Sequence, residues 1–494
     1  MLSRVFLKGI YKAAAVMLMA LTGVAFASAL DLPTKKVKGV EYYYYKVKKG
    51  ESLYGISKNL GMTVDEIVAA NPFAANDIRK GDILLFPKVE EPAEEVVVEE
   101  VEAVPADTAE VEEMPKNPAI AVLLPFGLDN AEPSRANKVA LEVYKGMLVA
   151  ADSLADRSGR VDIIARDIDG LSAGRVADMV EADSAVARAA VIFTPGDEAV
   201  LAAVARKAAE GGNYVFNALC IPDTLYASVP MLLQANAPQH VMYEKAVDAL
   251  LTDFAGFTPV ILRSRTGRNE KESFVNYLVE RCRAAGVEPR FIEYENNLVT
   301  ADFDVLPVDG AQKYVVVPSS GSKAEFNKFA YALHSYRERL KGRAAEALDT
   351  AAENGETTAD CAVMEVFGYP DWTAFRGDAL DMLHRLNATV YSRFFDDFTG
   401  FSSRGVASSF RRWFGAEPME SVPSYALVGY DAATWLIKNL RVNEGMFNPT
   451  YPSTSEGVQS SFDFRSAGED AGYYNTDVYI ISFREGGRTA VRVL

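Results

Sequence analysis

The sequence predicts an α/β protein in two parts: a small βααβ module, then a two-lobed, doubly wound α/β domain. Three observations lead there. The chain has 494 residues, more than the ~250–300 that one core can organise. From Ala119 onward, short runs rich in Val, Ile and Leu alternate with helix-length stretches, and the cycle restarts near Val260; this is how parallel sheets with crossover helices read. Between the two parts lies a stretch, 90–115, with 11 acidic residues and no Lys or Arg, punctuated by Pro92, Pro105 and Pro115. Like charges and prolines extend a chain, so 90–117 is expected to be a linker.

The N-terminus reads as an export signal. Arg4, Lys8 and Lys12 precede an uncharged run from Ala13 to Ala27, which ends in the overlapping small-residue sites Ala25-Phe26-Ala27 and Ala27-Ser28-Ala29. A cationic start, an apolar stretch and an A-x-A site suit signal peptidase, whereas a membrane span needs about 20 apolar residues. Residues 1–29 are therefore expected to be a cleaved signal peptide. The expected location is periplasmic, with no transmembrane segment after cleavage. No Cys near the site suggests a lipid anchor.

In 42–89, Tyr43, Tyr45 and Val47 alternate as a strand does, and Gly50 ends the run. Leu53, Ile56, Ser57 and Leu60 have helical spacing, closed by Gly61. Thr63 with Glu66 forms a capping box for a second helix whose apolar face is Val64, Ile67 and Val68. Asn71-Pro72 stops it, and Ile83 to Phe86 make a second strand before Pro87. Leu53, Ile56 and Ile67 are expected in the core.

With its YKVKKGESLYGI start, Asn71-Pro72, Ile78, Gly81-Asp82 and Leu85-Phe86-Pro87, this segment resembles the LysM domain. The resemblance implies binding of N-acetylglucosamine polymers, peptidoglycan among them. The implied sugar groove uses Gly50, Glu51, Ser52, Leu53 and Tyr54 from one loop, with Asn71, Pro72 and Ile78 from the other. Glu51-Ser52 stands where the family more often has Asp-Thr, a change that keeps the loop chemistry.

In 118–494 the expected strands are Ile120–Phe126, Val161–Asp167, Ala190–Phe193, Tyr214–Phe216 and Met231–Leu233, then Val260–Arg263, Phe291–Glu293, Tyr314–Val317 and Ala362–Val366. Helices are expected over about 138–156, 172–188, 197–209, 270–285 and 322–340. A polar insertion, KGRAAEALDTAAENGETTAD, follows the last of these. Thr389-Val390-Tyr391 is expected to return the chain to the first lobe, and the last forty residues to form terminal hairpins.

The pieces IAVLLPF (120–126), YKGM (144–147), VVVPSS (315–320), FGYPDW (367–372) and VGYDA (428–432), with the tail from Gly457-Val458-Gln459 to Gly472-Tyr473-Tyr474-Asn475, resemble the type I periplasmic-binding fold. The whole chain resembles exported proteins of Bacteroidota-type bacteria that join a LysM domain to such a fold. That likeness implies a ligand cleft at the carboxyl ends of the strands. Candidates there are Thr194 and Gly196 after the third strand, Asn217 to Cys220 after the fourth, and Ser319, Ser320 and Tyr369 in the second lobe. Asp197 and Glu198 beside Thr194 would repel a carboxylate ligand unless they turn away. Ser320 or Ser322 is expected to cap a helix, and Asp431 to be a helix N-cap.

No H-E-x-x-H or Walker-type loop occurs, and no S-x-x-K with its partner motifs. The three histidines (His240, His334, His384) stand alone, and Cys220, Cys282 and Cys361 are isolated. No cofactor, metal site or catalytic residue is assigned. The net charge of −17 argues against nucleic acid, whose phosphates need a basic face. The reading is a non-catalytic protein that binds peptidoglycan through its first module, while the bilobed domain binds a ligand or an envelope protein partner. The alternatives are a solute-binding or sensor protein for an amino-acid-like or muropeptide ligand, and a regulator of a cell-wall synthase or hydrolase.

Overall fold

The computed structural model describes residues 34–37, 40–48, 56–57, 67, 71, 83–87, 117–155, 159–194, 197–221, 224–308, 312–353, 362–396, 400–452 and 457–494. The chain forms two compact units, Met1–Val111 and Glu112–Leu494.

In the first unit, β1 (Thr34–Val37), β2 (Val40–Lys46) and β3 (Ile83–Pro87) form an antiparallel sheet in the order β1-β2-β3. Tyr43 pairs with Phe86 and Tyr45 with Leu84, so the two expected strands are neighbours. β1 is an addition that sequence reading missed. Its TKKV stretch has too few apolar residues to signal a strand alone. Val47, Leu84 and the helical Ile56 and Ile67 are buried, as expected of a core. Most of the two helices lies outside the described residues.

The second unit holds two seven-stranded sheets. The first lobe begins with β4 (Ala119–Leu124), α1 (Arg135–Ser153), β5 (Asp162–Asp167), α2 (Ala173–Ala182), α3 (Ser184–Ala187) and β6 (Val191–Phe193). Then come α4 (Glu198–Gly211), β7 (Tyr214–Asn217) and β8 (Leu232–Gln234). Its five strands lie in the order β5-β4-β6-β7-β8, all parallel. In order of appearance that is 2-1-3-4-5, a doubly wound arrangement. The second lobe repeats it. Its elements are α5 (Gln239–Asp253), β9 (Thr258–Ser264), α6 (Glu272–Ala284), β10 (Arg290–Tyr294) and β11 (Lys313–Pro318), then α7 (Lys323–Glu353), β12 (Val363–Gly368), α8 (Asp378–Arg385) and β13 (Thr389–Ser392). The order β10-β9-β11-β12-β13 is again 2-1-3-4-5 and parallel.

The apolar runs are continuous because helices cover both faces of each sheet. Ile120, Val122 and Leu124 enter one core, and Ala119, Ala121 and Leu123 the opposite one. In the second lobe, Trp372, Phe326, Phe329 and Phe375 cluster beneath the sheet.

Two expectations need correction. β13 does not return to the first lobe: it lies against β12 and β16 (Tyr479–Arg484) in the second sheet. The return is made by α9 (Phe401–Phe414) and α10 (Tyr425–Val442), and α10 packs against α1 in the first lobe's core. The polar stretch after 340 is no separate insertion at its start, because α7 runs unbroken for 31 residues to Glu353. Ala, Glu, Lys, Arg and Leu there are strong helix formers.

The tail does form hairpins, and they extend both sheets. β14 (Phe464–Ser466) and β15 (Tyr473–Asn475) join the first sheet through the parallel pair β15–β8. β16 and β17 (Arg488–Val493) join the second. Only Thr476, Asp477 and Val478 separate β15 from β16.

The contact of α1 with α10 is very close. A Cβ on Gly146 would lie 1.9 Å from the Ala426 carbonyl oxygen, and one on Gly429 would lie 1.9 Å from that of Val143.

Candidate functional site

The carboxyl ends of the second lobe's strands build a charged pocket. The loop after β9 is fixed from within. Asn269 accepts from the Ser264 N–H at 3.2 Å and donates to the Ser264 carbonyl at 2.8 Å. The Ser319 hydroxyl bonds the Leu262 carbonyl at 2.9 Å and Asn269 Oδ1 at 2.5 Å. This bracing delivers Glu270 and Lys271 to the strand ends. Glu270 Oε1 accepts from the Ser320 hydroxyl (2.9 Å) and the Gly321 N–H (2.8 Å). Lys271 Nζ reaches Asp371 Oδ2 at 2.7 Å and lies 5.4 Å from the Tyr369 ring centroid. From the far side, Arg393 donates to the Ala237 carbonyl (2.7 Å) and to Gln239 Oε1 (3.1 Å).

These groups border a cavity of about 390 Å³, with Tyr243, Tyr391, Thr373, Phe394 and Val422 in its wall. Two cations and two anions face it, so it can take a dipolar ligand. Gly321 lies against the Lys271–Asp371 pair. Its carbonyl accepts from Trp372 Nε1 at 3.1 Å. A Cβ there would meet Asp371 Oδ2 at 2.8 Å and Lys271 Cε at 2.9 Å.

The expected second-lobe candidates stand behind this wall. Ser319 and Ser320 are buried and hold the loop that carries Glu270 and Lys271. Tyr369 is fully enclosed, with its hydroxyl on the Pro318 carbonyl at 2.5 Å, and burial raises its phenol well above the usual range. Sequence reading therefore found the bracing and missed Glu270, Lys271, Asp371 and Arg393. The usable signal was position: each follows a strand of the second cycle.

In the first lobe Asn217 is buried. It donates to Gln234 Oε1 and the Cys220 carbonyl, both at 2.7 Å, and so orders the loop after β7. Thr194 is fully buried, and its hydroxyl has no partner among the described residues. Asp197 turns onto its own helix, accepting the Val200 N–H at 2.8 Å as N-cap of α4. Gly196 lies outside the described residues, as do Gly50, Glu51, Ser52, Leu53, Tyr54, Pro72 and Ile78 of the sugar groove. Asn71 is described. It is buried, and its backbone N–H and side-chain amide both bond the Ile67 carbonyl, at 2.9 and 3.0 Å.

Another carboxylate cradle was missed. Asp167, at the end of β5, accepts from the N–H groups of Phe126, Gly127, Leu128 and Asp169 at 2.8–3.2 Å. Burial opposes its ionisation, but these bonds hold the carboxyl below its ordinary value. Asp431 corrects an expectation. It lies inside α10 and is no N-cap, a role that Ser424 fills. Its carboxylate accepts from Val458, Gln459 and Ser460 N–H groups at 2.7–2.8 Å. Burial, against those three bonds, pushes its pKa up to about 7. Ser322 does cap α7, accepting the Glu325 N–H at 3.3 Å. Cys220 and Cys282 are free thiols, and burial pushes Cys282 up to about 11; Cys361 lies outside the described residues.

Comparison with known proteins places two labels on this architecture. Residues 45–87 match the LysM domain family. The second unit's two lobes share the doubly wound order 2-1-3-4-5, consistent with the two-lobed type I periplasmic-binding fold, and they follow the LysM match in the chain.

Among solved structures it is similar to a branched-chain amino acid ABC transporter protein from Rhodospirillum rubrum, at 13% identity and TM-score 0.49 over 77% of this chain and 100% of that one. It is also similar to a branched-chain amino acid ligand-binding protein from Burkholderia xenovorans, at 13% identity and TM-score 0.45 over 76% and 95%. An ABC transporter substrate-binding protein from Desulfitobacterium hafniense, solved with Leu, matches at 14% identity and TM-score 0.39 over 76% and 100%. No curated protein matches the sequence. No helix among the described residues is long and apolar enough to cross a membrane.

Proposed function

We propose that this protein is an exported, non-catalytic peptidoglycan-binding protein whose bilobed domain takes a small ligand. The observation that carries the first half is the LysM match over 45–87. The proposed contacts are loop residues Gly50, Glu51, Ser52, Leu53 and Tyr54 with Pro72 and Ile78. Loop N–H and C=O groups suit an acetamido group, and small apolar side chains suit its methyl. Asn71, the remaining residue of the groove, is buried with its side-chain amide on the Ile67 carbonyl. The signal-like N-terminus supports export to the periplasm, where the polymer is.

Co-sedimentation of the whole protein with purified sacculi tests this. The protein is expected in the pellet, and a chain lacking 42–89 or carrying Ser52→Arg in the supernatant. Equal pelleting of all three would remove the LysM groove from the account.

The solute-binding reading is favoured by one observation, the charged pocket around Lys271 and Asp371. A ligand that binds only the folded state raises its stability by RT ln(1+[L]/Kd). Thermal shifts against amino acids and muropeptides are expected to reveal a stabilising ligand. A flat response across both sets, with sacculus binding intact, would leave peptidoglycan as the sole ligand class.

A further inference from the structure

We propose that the second lobe binds a short peptide, extended across two adjoining cavities, in preference to a single amino acid. This rests on the solute-binding reading above and narrows its ligand. The charged pocket of about 390 Å³ has a neighbour of about 280 Å³. Thr373, Phe394 and Val422 line both, so these side chains form a sill between them. Together the two reach the size of sites that enclose drug-sized ligands, roughly 300–1,000 Å³.

The two cavities differ in chemistry. The first holds Glu270 and Asp371. Their hydrogen bonds to Ser320, Gly321 and Lys271 engage Oε1 of the one and Oδ2 of the other, and an ionised carboxylate accepts on both oxygens. The second is lined by Leu380, Phe395 and Phe483, with the Arg376 guanidinium and the Asp396 carboxylate both at its border. An N-terminal ammonium on Glu270 and Asp371 would leave the next side chains over the sill, against Phe394 and Val422. A following carboxylate would meet Arg376. Residues in an extended chain advance ~3.3–3.6 Å each, so two or three residues span neighbouring cavities of this size. A free amino acid carries its two charges on one carbon and cannot place one in each cavity.

Calorimetric titration of the whole protein with leucine, Leu-Leu and Leu-Leu-Leu tests the proposal. At least one of the peptides is expected to bind tenfold or more tightly than leucine. Arg376→Met is expected to erase that preference, and Leu380→Trp, which fills the second cavity, to do the same from the opposite side. Circular dichroism confirms that each variant is folded. Leucine binding as tightly as both peptides, or a preference untouched by both substitutions, would overturn the peptide assignment while leaving a solute site in place. Binding of none of the three probes would overturn both.

Discussion

Lys271 Nζ and Asp371 Oδ2 meet at 2.7 Å over the bare Cα of Gly321. The pair joins the loop after the first strand of the second lobe to the loop after its fourth. A side chain at position 321 would occupy the space both need. Gly321→Ala is expected to push the pair apart and to weaken any ligand of the charged pocket by tenfold or more. The cost in stability should be about 1–3 kcal/mol, the usual penalty of overpacking. Calorimetric titration and denaturant unfolding check the two halves.

Asp431 is expected to be the most sensitive buried polar residue. Asp431→Ala would leave three backbone N–H groups without an acceptor, at ~1–3 kcal/mol for each donor stranded. Asp431→Asn keeps an acceptor oxygen and should cost less. The group also predicts a pH dependence. Its folded pKa of about 7 lies above the ordinary aspartate value of 3.8, so the folded state holds the extra proton between them. Stability should therefore fall as pH rises through that window, and this component should vanish in Asp431→Asn. Urea midpoints of both proteins at several pH values between 4 and 8 measure it.

The crossing of α1 and α10 depends on Gly146 and Gly429. Here an added methyl meets backbone carbonyls at 1.9 Å, which cannot swing aside as a side chain can. Either Gly→Ala change is expected to cost 3 kcal/mol or more, at or beyond the upper end of ordinary overpacking. Thermal unfolding reads this directly.

Thr194 carries the opposite expectation. Its hydroxyl is buried without a partner among the described residues, and such a group costs free energy that an apolar replacement of the same shape removes. Thr194→Val should be neutral or stabilising by up to about 1 kcal/mol. A loss above 1 kcal/mol would show that the hydroxyl bonds a group in the folded protein.

Much of the second unit was legible because its strands are buried on both faces. Runs such as IAVLL and YVVVP fit strands covered by helices on both faces. Their alternation with amphipathic helices gave the doubly wound class. Which sheet a strand joins was not legible. TVYS of β13 reads the same whether it continues one lobe or returns to another, because the partner lies far away in sequence. The pocket residues were hidden for a related reason. Glu270, Lys271, Asp371 and Arg393 are ordinary surface types scattered over more than a hundred positions, and only the strand ends gather them. The serines that reading did single out sit one layer deeper.

The three residues between β15 and β16 have a mechanical consequence. Asn475 is held by the Ala235 and Ser461 carbonyls at 2.9 and 2.8 Å, and four residues on, Tyr479 is paired with Ser392 in the other sheet. A tether of three residues reaches at most about 14 Å even when taut. The lobes can swing about this leash but cannot draw apart. At this point the separation of the two sheets is limited to that reach.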